Sequence, residues 1–423
     1  MNKFKNKEPK PRDVNGDIIT PIIKSSKVSL SFANADKLIQ LDVFITEYQS
    51  LVSQYVDQMW LRDDIKSLID SSYQVKTWLS ARMQQCAGKQ ASGIVRGTRK
   101  KQTKRLFIIE KLNNEGQFKK ARKLQKIYDE AKISKPDIKV VNPELDSRFI
   151  KTDIENTTTF DGLLEIDSIG NKVNIVLPFK KTKHYNELAA KGKLKKGIRI
   201  SSKYITFIFE LPHVPKKTSG IILGIDIGSK TLLSISDGNI SKKNKDGYDV
   251  DSILDILIRK KIGSIGFDKA KAHLDNYVKW SINQLDLSGV KEIRLERLFK
   301  LPKVSKKLKH WVYPLIMSII GSKCIEHGVH VKYISPTYTS QRCSKCGWVR
   351  KTNRKGKLFK CDKCGFEHDA DLNAALNISL ELKPIGKKQR LKRLNIKGFY
   401  WDTFSSDNIV PNTQKANGIV FNT

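Results

Sequence analysis

Cys361-Asp-Lys-Cys364-Gly-Phe-Glu-His-Asp369-Ala-Asp371-Leu-Asn-Ala-Ala-Leu-Asn-Ile378 runs a cysteine knuckle straight into the start of a helix. A matching knuckle, Cys343-Ser-Lys-Cys346-Gly, lies upstream, with fourteen residues between Cys346 and Cys361. Each CxxC turn presents two thiolates to one ion, so the two knuckles complete a tetrahedral sulfur site whose usual occupant is a structural Zn2+. The glycine after each second cysteine permits the tight backbone a knuckle needs. Arg350, Lys351, Arg354, Lys355 and Lys357 decorate the span between them, as in a zinc ribbon that works near nucleic acid. An iron–sulfur cluster or a redox pair is the competing use of four thiolates. Cys86 and Cys324 stand alone, and without an export signal that pattern favours metal over disulfides.

Upstream, Ile221-Ile-Leu-Gly-Ile-Asp226-Ile-Gly-Ser229 is a buried strand interrupted by a carboxylate. An acid there is costly unless it is hydrogen-bonded, paired or metal-bound, so Asp226 is either a metal ligand or a satisfied turn residue. Glu296 ends a second strand, Val290–Leu295, on which Glu292 is a competitor for any functional role. Asp371 opens the helix after the second knuckle, where an acid is ordinarily an N-cap, and Asp369 competes for that duty. Singly these acids are ordinary; their order is informative. Carboxylates on one strand, at the end of a later strand and at a helix start can converge at the open end of an α/β sheet. There they would hold two Mg2+ ions about 4 Å apart, flanking the attacking and leaving oxygens of a phosphodiester.

The composition fits such a substrate. The 423 residues, about three domain-sized units, carry 79 Lys+Arg against 43 Asp+Glu, a net charge of +36. An excess of that size repels itself unless the working state includes a polyanion. A basic ribosomal or membrane-surface protein is the bland alternative. No apolar run approaches the ~18–20 residues of a membrane span, and Pro314–Ile320 is core-helix length. The polar first residues lack the hydrophobic stretch of a signal peptide. A soluble, cytoplasmic protein, nucleoid-associated when on DNA, is expected.

The N-terminal half is organised differently. A β-like stretch, Lys27–Phe32, precedes apolar residues at helical spacing from Leu38 through Phe44, Tyr48, Val52 and Tyr55 to Trp60. Helical sequence continues to about Lys135 and carries two basic blocks. One comprises Arg96, Arg99, Lys100, Lys101, Lys104 and Arg105; the other spans Lys119–Lys126. From about Arg148 to Pro215 short β-like runs alternate with lysines, including Lys180, Lys181 and Lys183, suggesting a small β-domain with a basic loop. A linker spans Pro212–Gly220. Beyond it come the Asp226 strand, a hairpin partner at Thr231–Ser236 turning at Asp237-Gly238, and helices near Asp268–Leu285 and His310–His327. A strand at Val329–Ile334 follows the second helix.

Taken together, the motifs resemble the TnpB family of transposon-encoded, RNA-guided nucleases, relatives of the miniature type V CRISPR effectors. The stretches that carry the likeness are Gly224-Ile-Asp226-Ile-Gly228, Ile293-Arg-Leu-Glu296-Arg-Leu298, Ser335-Pro-Thr-Tyr-Thr-Ser340-Gln-Arg-Cys343-Ser-Lys-Cys346-Gly and the 361–378 segment quoted above. The likeness is firm over roughly Ile221–Leu380 and rests on layout elsewhere. It implies a multidomain α+β and α/β fold: a β-barrel wedge domain (1–33 and 141–218) with an inserted helical recognition lobe (34–140). After these come an RNase H-like RuvC nuclease domain (219–340 and 368–382), an inserted zinc ribbon that binds target nucleic acid (341–367), and a basic to polar tail (383–423) expected to be disordered.

The resemblance further implies a catalytic, Mg2+-binding triad at Asp226, Glu296 and Asp371, zinc on Cys343, Cys346, Cys361 and Cys364, and metal-dependent hydrolysis of target DNA. A guide RNA and a short motif beside the target would choose the site, with a monomer or a homodimer acting on one RNA. Arg96, Arg99, Lys100, Lys101, Lys104, Arg105, Lys180, Lys181, Lys183 and Arg342 are the candidate nucleic-acid contacts, held to backbone rather than bases. Tyr73, Trp78 and Phe107 lie among the basic blocks as base-stacking or core residues. Arg297 stands where the family usually has an acid or amide. The competing functions are a guide-directed repressor that does not cut and a zinc-ribbon DNA-binding factor that works without RNA. Because phosphates would dominate the contacts, nucleic-acid binding is expected to weaken by about 10³-fold or more between 50 and 200 mM salt. A filter-binding titration across that range checks this, and a flat response contradicts the polyanion argument.

Overall fold

The computed structural model describes residues 11–65, 69–70, 72–130, 135–136, 138, 141–154, 159–297, 310–383, 385 and 392–402. They form two compact units, one spanning Thr20–His213 and one joining residues up to Ile19 with those from Val214 onward.

In the first unit, strand β1 (Ile22–Ser29) leads into helix α1 (Ala35–Trp60), α2 (Ala81–Asn114) and α3 (Phe118–Glu130). The apolar stripe read from the sequence is the buried face of α1, from Leu41 and Phe44 to Val56 and Met59. Against it α2 sets Met83, Ala87, Ala91 and Val95, a mostly small-residue face that lets the two helices approach closely. The remaining elements are β2 (Glu144–Leu145), β3 (Ile150–Ile154), β4 (Gly162–Ile166), β5 (Ile175–Phe179), α4 (Lys183–Lys191), β6 (Lys193–Ile200) and β7 (Tyr204–Leu211). They build one sheet in the order β1-β7-β6-β2 and a second in the order β3-β4-β5. Strand β1 starts at Ile22 rather than Lys27, because β7 pairs with it along its whole length from Ile22↔Leu211 to Ser29↔Tyr204.

The expected basic loop is largely a helix and a strand. Thr182 caps α4 by accepting from the Tyr185 backbone N–H at 3.1 Å, and Tyr185 and Leu188, one turn apart, are buried. Its lysines mask this amphipathic pattern.

The second unit centres on β8 (Ile221–Ile227), β9 (Leu233–Ile235) and β10 (Val290–Glu296), with α5 (Val250–Ile258) and α6 (Ile265–Asn283) between the last two strands. Then come α7 (Tyr313–Glu326), β11 (His330–Ile334), the ribbon strands β12 (Trp348–Val349), β13 (Arg354–Lys355), β14 (Leu358–Lys360) and β15 (Glu367–Asp369), and α8 (Ala370–Ser379). The sheet order is β11-β10-β8-β9, with β8, β10 and β11 parallel and β9 antiparallel. The chain turns from β8 to β9 at residues 228–232, not at Asp237-Gly238. The latter turn instead closes the next bridge, Ser234↔Ile240. Helix α5 is absent from the sequence expectation.

Side chains alternate across this sheet. Leu223, Ile225, Ile293 and Leu295 enter a core shared with Leu274, Val278, Ile316 and Ile320. Gly224, Asp226, Arg294 and Glu296 therefore face the other side, where α8 lies. A Cβ at Gly224 would stand 2.1 Å from the Ala375 carbonyl oxygen, so only glycine lets α8 settle on β8. No helix of the described residues is long and apolar enough to cross a membrane.

The expected disorder of 383–423 does not hold for its described part. Helix α9 (Lys392–Lys397) and β16 (Phe399–Tyr400) are ordered, β16 pairs antiparallel with β12, and Trp401 is buried with Val349 and Ile385. Residues 403–423 lie outside the described residues, as does Leu298 of the strand-end motif. Replacing Gly224 with Ala is expected to destabilise this unit by about 1–3 kcal/mol through overpacking at the α8 contact. Urea unfolding measures the shift.

Candidate active site and metal centre

The parallel register pairs Leu295 with Ile225, which brings Glu296 beside Asp226 at the C-terminal ends of β10 and β8. Asp371 arrives from above, in the first turn of α8. Asp369, not Asp371, is the N-cap: its carboxylate accepts from the Asp371 and Leu372 backbone N–H groups at 2.9 and 3.0 Å. That frees the Asp371 side chain for other work. Glu292 is excluded from the corner, since it holds the buried Arg294 at 2.6 Å and His330 at 3.2 Å.

Burial first, then the charges of Glu296 and Asp371, push the Asp226 carboxyl up to about 7, while Arg354 pulls the other way. Glu296 is raised by burial, against a hydrogen bond from the Thr339 hydroxyl and the charge of Arg354. Burial would raise Asp371 too, but Lys357 and Arg354 outweigh it and hold its carboxyl below the usual range. Arg354 sits 2.6 Å from Asp371 Oδ1, and the Lys357 ammonium spans Asp371 Oδ2 and Thr231 Oγ1. Three acids distant in sequence thus share one corner, countered by two cations from the ribbon. Among the described residues the carboxylate oxygens do not form the tight mutual cluster that the cysteine sulfurs do. A donor set made only of carboxylate oxygens fits hard divalent cations.

Sequence reasoning missed Thr339, Tyr313, Arg354 and Lys357 as parts of this corner. The Thr339 hydroxyl donates to Glu296 Oε1, and the Tyr313 hydroxyl donates to the Glu296 carbonyl. Arg297, which stands where the family usually has an acid or amide, turns its guanidinium over the Tyr333 ring at 5.7 Å.

The four cysteines form the second centre. Their ligand atoms all lie within 4.8 Å of one another, with Sγ–Sγ separations of 3.7 Å for Cys343–Cys364 and 3.6 Å for Cys346–Cys361. A tetrahedron with Zn–S bonds of about 2.3 Å requires sulfurs about 3.8 Å apart, so the set fits zinc. The two knuckles repeat one geometry. Gly347 and Gly365, at φ +79 and +72, donate back to the Cys343 and Cys361 carbonyls at 2.9 and 3.0 Å. Burial raises the Cys343 and Cys346 thiols, the latter to about 11, so metal binding is coupled to release of their protons.

The candidate nucleic-acid contacts divide. Arg96, Lys100, Lys104, Lys180, Lys181 and Lys183 are exposed, and Arg105 is half-buried; the Lys101 side chain lies outside the described set. Arg99 is used internally, donating to the Arg62 and Trp60 carbonyls at 2.7 Å each and lying over the Trp60 ring. Arg342 is a correction. It is 5% exposed and bonded to the carbonyls of Trp401 and Cys343 and to Asn377 Oδ1, so it is a strut rather than a contact. Tyr73 and Trp78 pack against the core of the first unit, whereas Phe107 is 65% exposed.

Cys343→Ser or Cys364→Ser is expected to take zinc from about one ion per chain to near zero. Elemental analysis of the purified protein decides it, and an unchanged zinc content contradicts the assignment.

Residues 314–378 match the family model described as Cas12f1-like, TNB domain. Relatives include a CRISPR-associated endodeoxyribonuclease Cas12f1 of Sulfoacidibacillus thermotolerans, 39% identical over 106 residues, 25% of each chain. Another Cas12f1, from an uncultured archaeon, is 27% identical over 230 residues, 44% of each chain. A TnpB-like protein of Aquifex aeolicus is 35% identical over 78 residues, 18% of this chain and 26% of that one. The chain therefore spans less than half the length of each of these relatives. In the matched segments, with the shared domain at 314–378 enclosing the cysteines and Asp371, the chain is similar to TnpB-like and Cas12f proteins.

Proposed function

We propose that the chain is an RNA-guided DNA endonuclease whose cutting centre is held by Asp226, Glu296 and Asp371. The carrying observation is the meeting of these acids at one corner of the sheet, by strand register and by the capped helix, with the Asp226 carboxyl raised by burial first and then by the charges of the other two. The names of the relatives, CRISPR-associated endodeoxyribonuclease and TnpB-like protein, point the same way.

On this proposal the sheet of the second unit, with α8, is an RNase H-like RuvC nuclease domain into which the zinc ribbon is inserted. The first unit supplies wedge and recognition domains. Asp226, Glu296 and Asp371 would hold two Mg2+ ions, which supply charge to the attacking and leaving oxygens of the phosphodiester and lower the pKa of the attacking water. The chain's own residues do the positioning. Thr339 fixes the carboxylate of Glu296, and the Asp369 cap leaves Asp371 free to point into the corner. Arg354 and Lys357 neutralise the acids here, and stand where a scissile phosphate would need cations. The exposed lysines and arginines of the first unit would hold guide RNA and target DNA by their backbones, leaving sequence choice to base pairing and a short adjacent motif. Zinc on the four cysteines would be structural.

Asp226→Ala and Asp371→Ala are expected to reduce cutting by at least about 10³-fold while guide and target binding stay near the parent level. The assay pairs cleavage of matching plasmid with a gel-shift of the same complex. A variant that still cuts at the parental rate sinks the triad, and a parent that binds matching DNA through its guide yet never cuts it is the repressor. Sequencing the RNA that co-purifies from the native locus should reveal one discrete non-coding transcript; none would favour a factor that works without RNA.

A further inference from the structure

Asn373 and Asn377, one turn apart on α8, are both completely buried. Asparagine is a poor residue for a helix interior, and a buried amide is costly unless all its groups are met. Here all are. Asn373 Oδ1 accepts from the Ser344 backbone N–H at 3.0 Å, and its Nδ2 donates to the Arg342 carbonyl at 2.8 Å. Asn377 Oδ1 accepts from the Arg342 guanidinium at 2.7 Å. Its Nδ2 reaches the carbonyls of Thr339 (3.0 Å), Arg342 (2.7 Å) and Asn373 (3.0 Å).

These partners bracket Cys343. Ser344 follows it, Arg342 precedes it, and Arg342 also donates to the Cys343 carbonyl. The two amides therefore bolt the first knuckle to α8 two residues beyond Asp371. They reach the second strand as well: the residue whose carbonyl Asn377 holds, Thr339, is the one whose hydroxyl binds Glu296. One buried network thus touches the knuckle, the helix of one acid and the hydrogen-bond donor of another. A pair of leucines would leave the Ser344 N–H and the Arg342 carbonyl without these partners and would take one of three acceptors from the Arg342 guanidinium.

We propose that Asn373 and Asn377 are positioning residues that couple the two metal centres, so that zinc on the cysteines sets Asp371 and the Thr339–Glu296 pair for divalent-cation binding at the acids. This rests on the proposal that the acids bind divalent cations. Linkage makes the coupling reciprocal, and hydrogen bonds that orient metal ligands commonly change affinity by about 10–100-fold.

The test uses the whole chain loaded with zinc and titrated with Mn2+, the free aquo ion being counted by its paramagnetic resonance signal. Asn377→Leu is expected to keep its zinc and bind Mn2+ about tenfold more weakly. Zinc-stripped parent protein should show a similar loss, restored on adding zinc back. Parental Mn2+ affinity in zinc-loaded Asn377→Leu overturns the coupling. Should that variant fail to hold zinc, Asn373→Ser and the stripped parent decide: undiminished Mn2+ affinity in both overturns it equally, and weakened affinity supports it. Asp371→Asn separates the two levels of failure. If it binds Mn2+ as the parent does, the acid centre itself is wrong and the coupling falls with it. If it loses Mn2+ while the asparagine variants and stripped parent do not, only the coupling is lost.

Discussion

Carboxylates gathered away from bulk water need countercharge, and the second unit is arranged around that need. Asp226 cannot retreat, because its strand pairs on both sides and Gly224 presses α8 onto the same face. Glu296 is brought beside it by strand register, and Asp371 by the helix that Asp369 caps. Like charges in such a corner raise one another's pKa unless cations intervene. Arg354 and Lys357 provide part of the answer in this structure, and both come from the cysteine ribbon rather than from the sheet.

The ribbon is therefore more than a surface attachment. Its knuckles are held by backbone hydrogen bonds and by four sulfurs at zinc spacing. Its β13–β14 hairpin carries the cations that face Asp371. Its first knuckle is tied to α8 through the buried amides, and β15 runs directly into that helix. Losing the order of the knuckles would loosen the element that presents Asp371, although no cysteine lies in the acid corner.

Much of this was legible in the sequence because it depends on short-range spacing. The CxxC pairs predict the sulfur cluster, and the apolar spacing from Leu38 to Trp60 predicts α1. The strand bearing Asp226 reads correctly from its hydrophobic run. What could not be read depends on tertiary pairing. Arg342 sits among basic residues beside a cysteine knuckle and looks like a phosphate ligand, yet burial lowers its guanidinium pKa to about 10 and its donors end on carbonyls and an amide. Arg99 is similarly diverted by the carbonyls at the end of α1. Thr339 carries no local signal at all, because its role is set by the distant Glu296. The β16 strand was hidden in a polar tail since only β12 completes it.

That pairing sets a lower limit on how far the polypeptide can be shortened. Trp401 gives its carbonyl to Arg342 and its indole N–H to the Lys383 carbonyl, while Gly398 leaves no room for a side chain beneath Trp348. A version trimmed after α8, or a reporter spliced in ahead of Phe399, would strip the outer wall from Val349 and leave the buried guanidinium short of an acceptor.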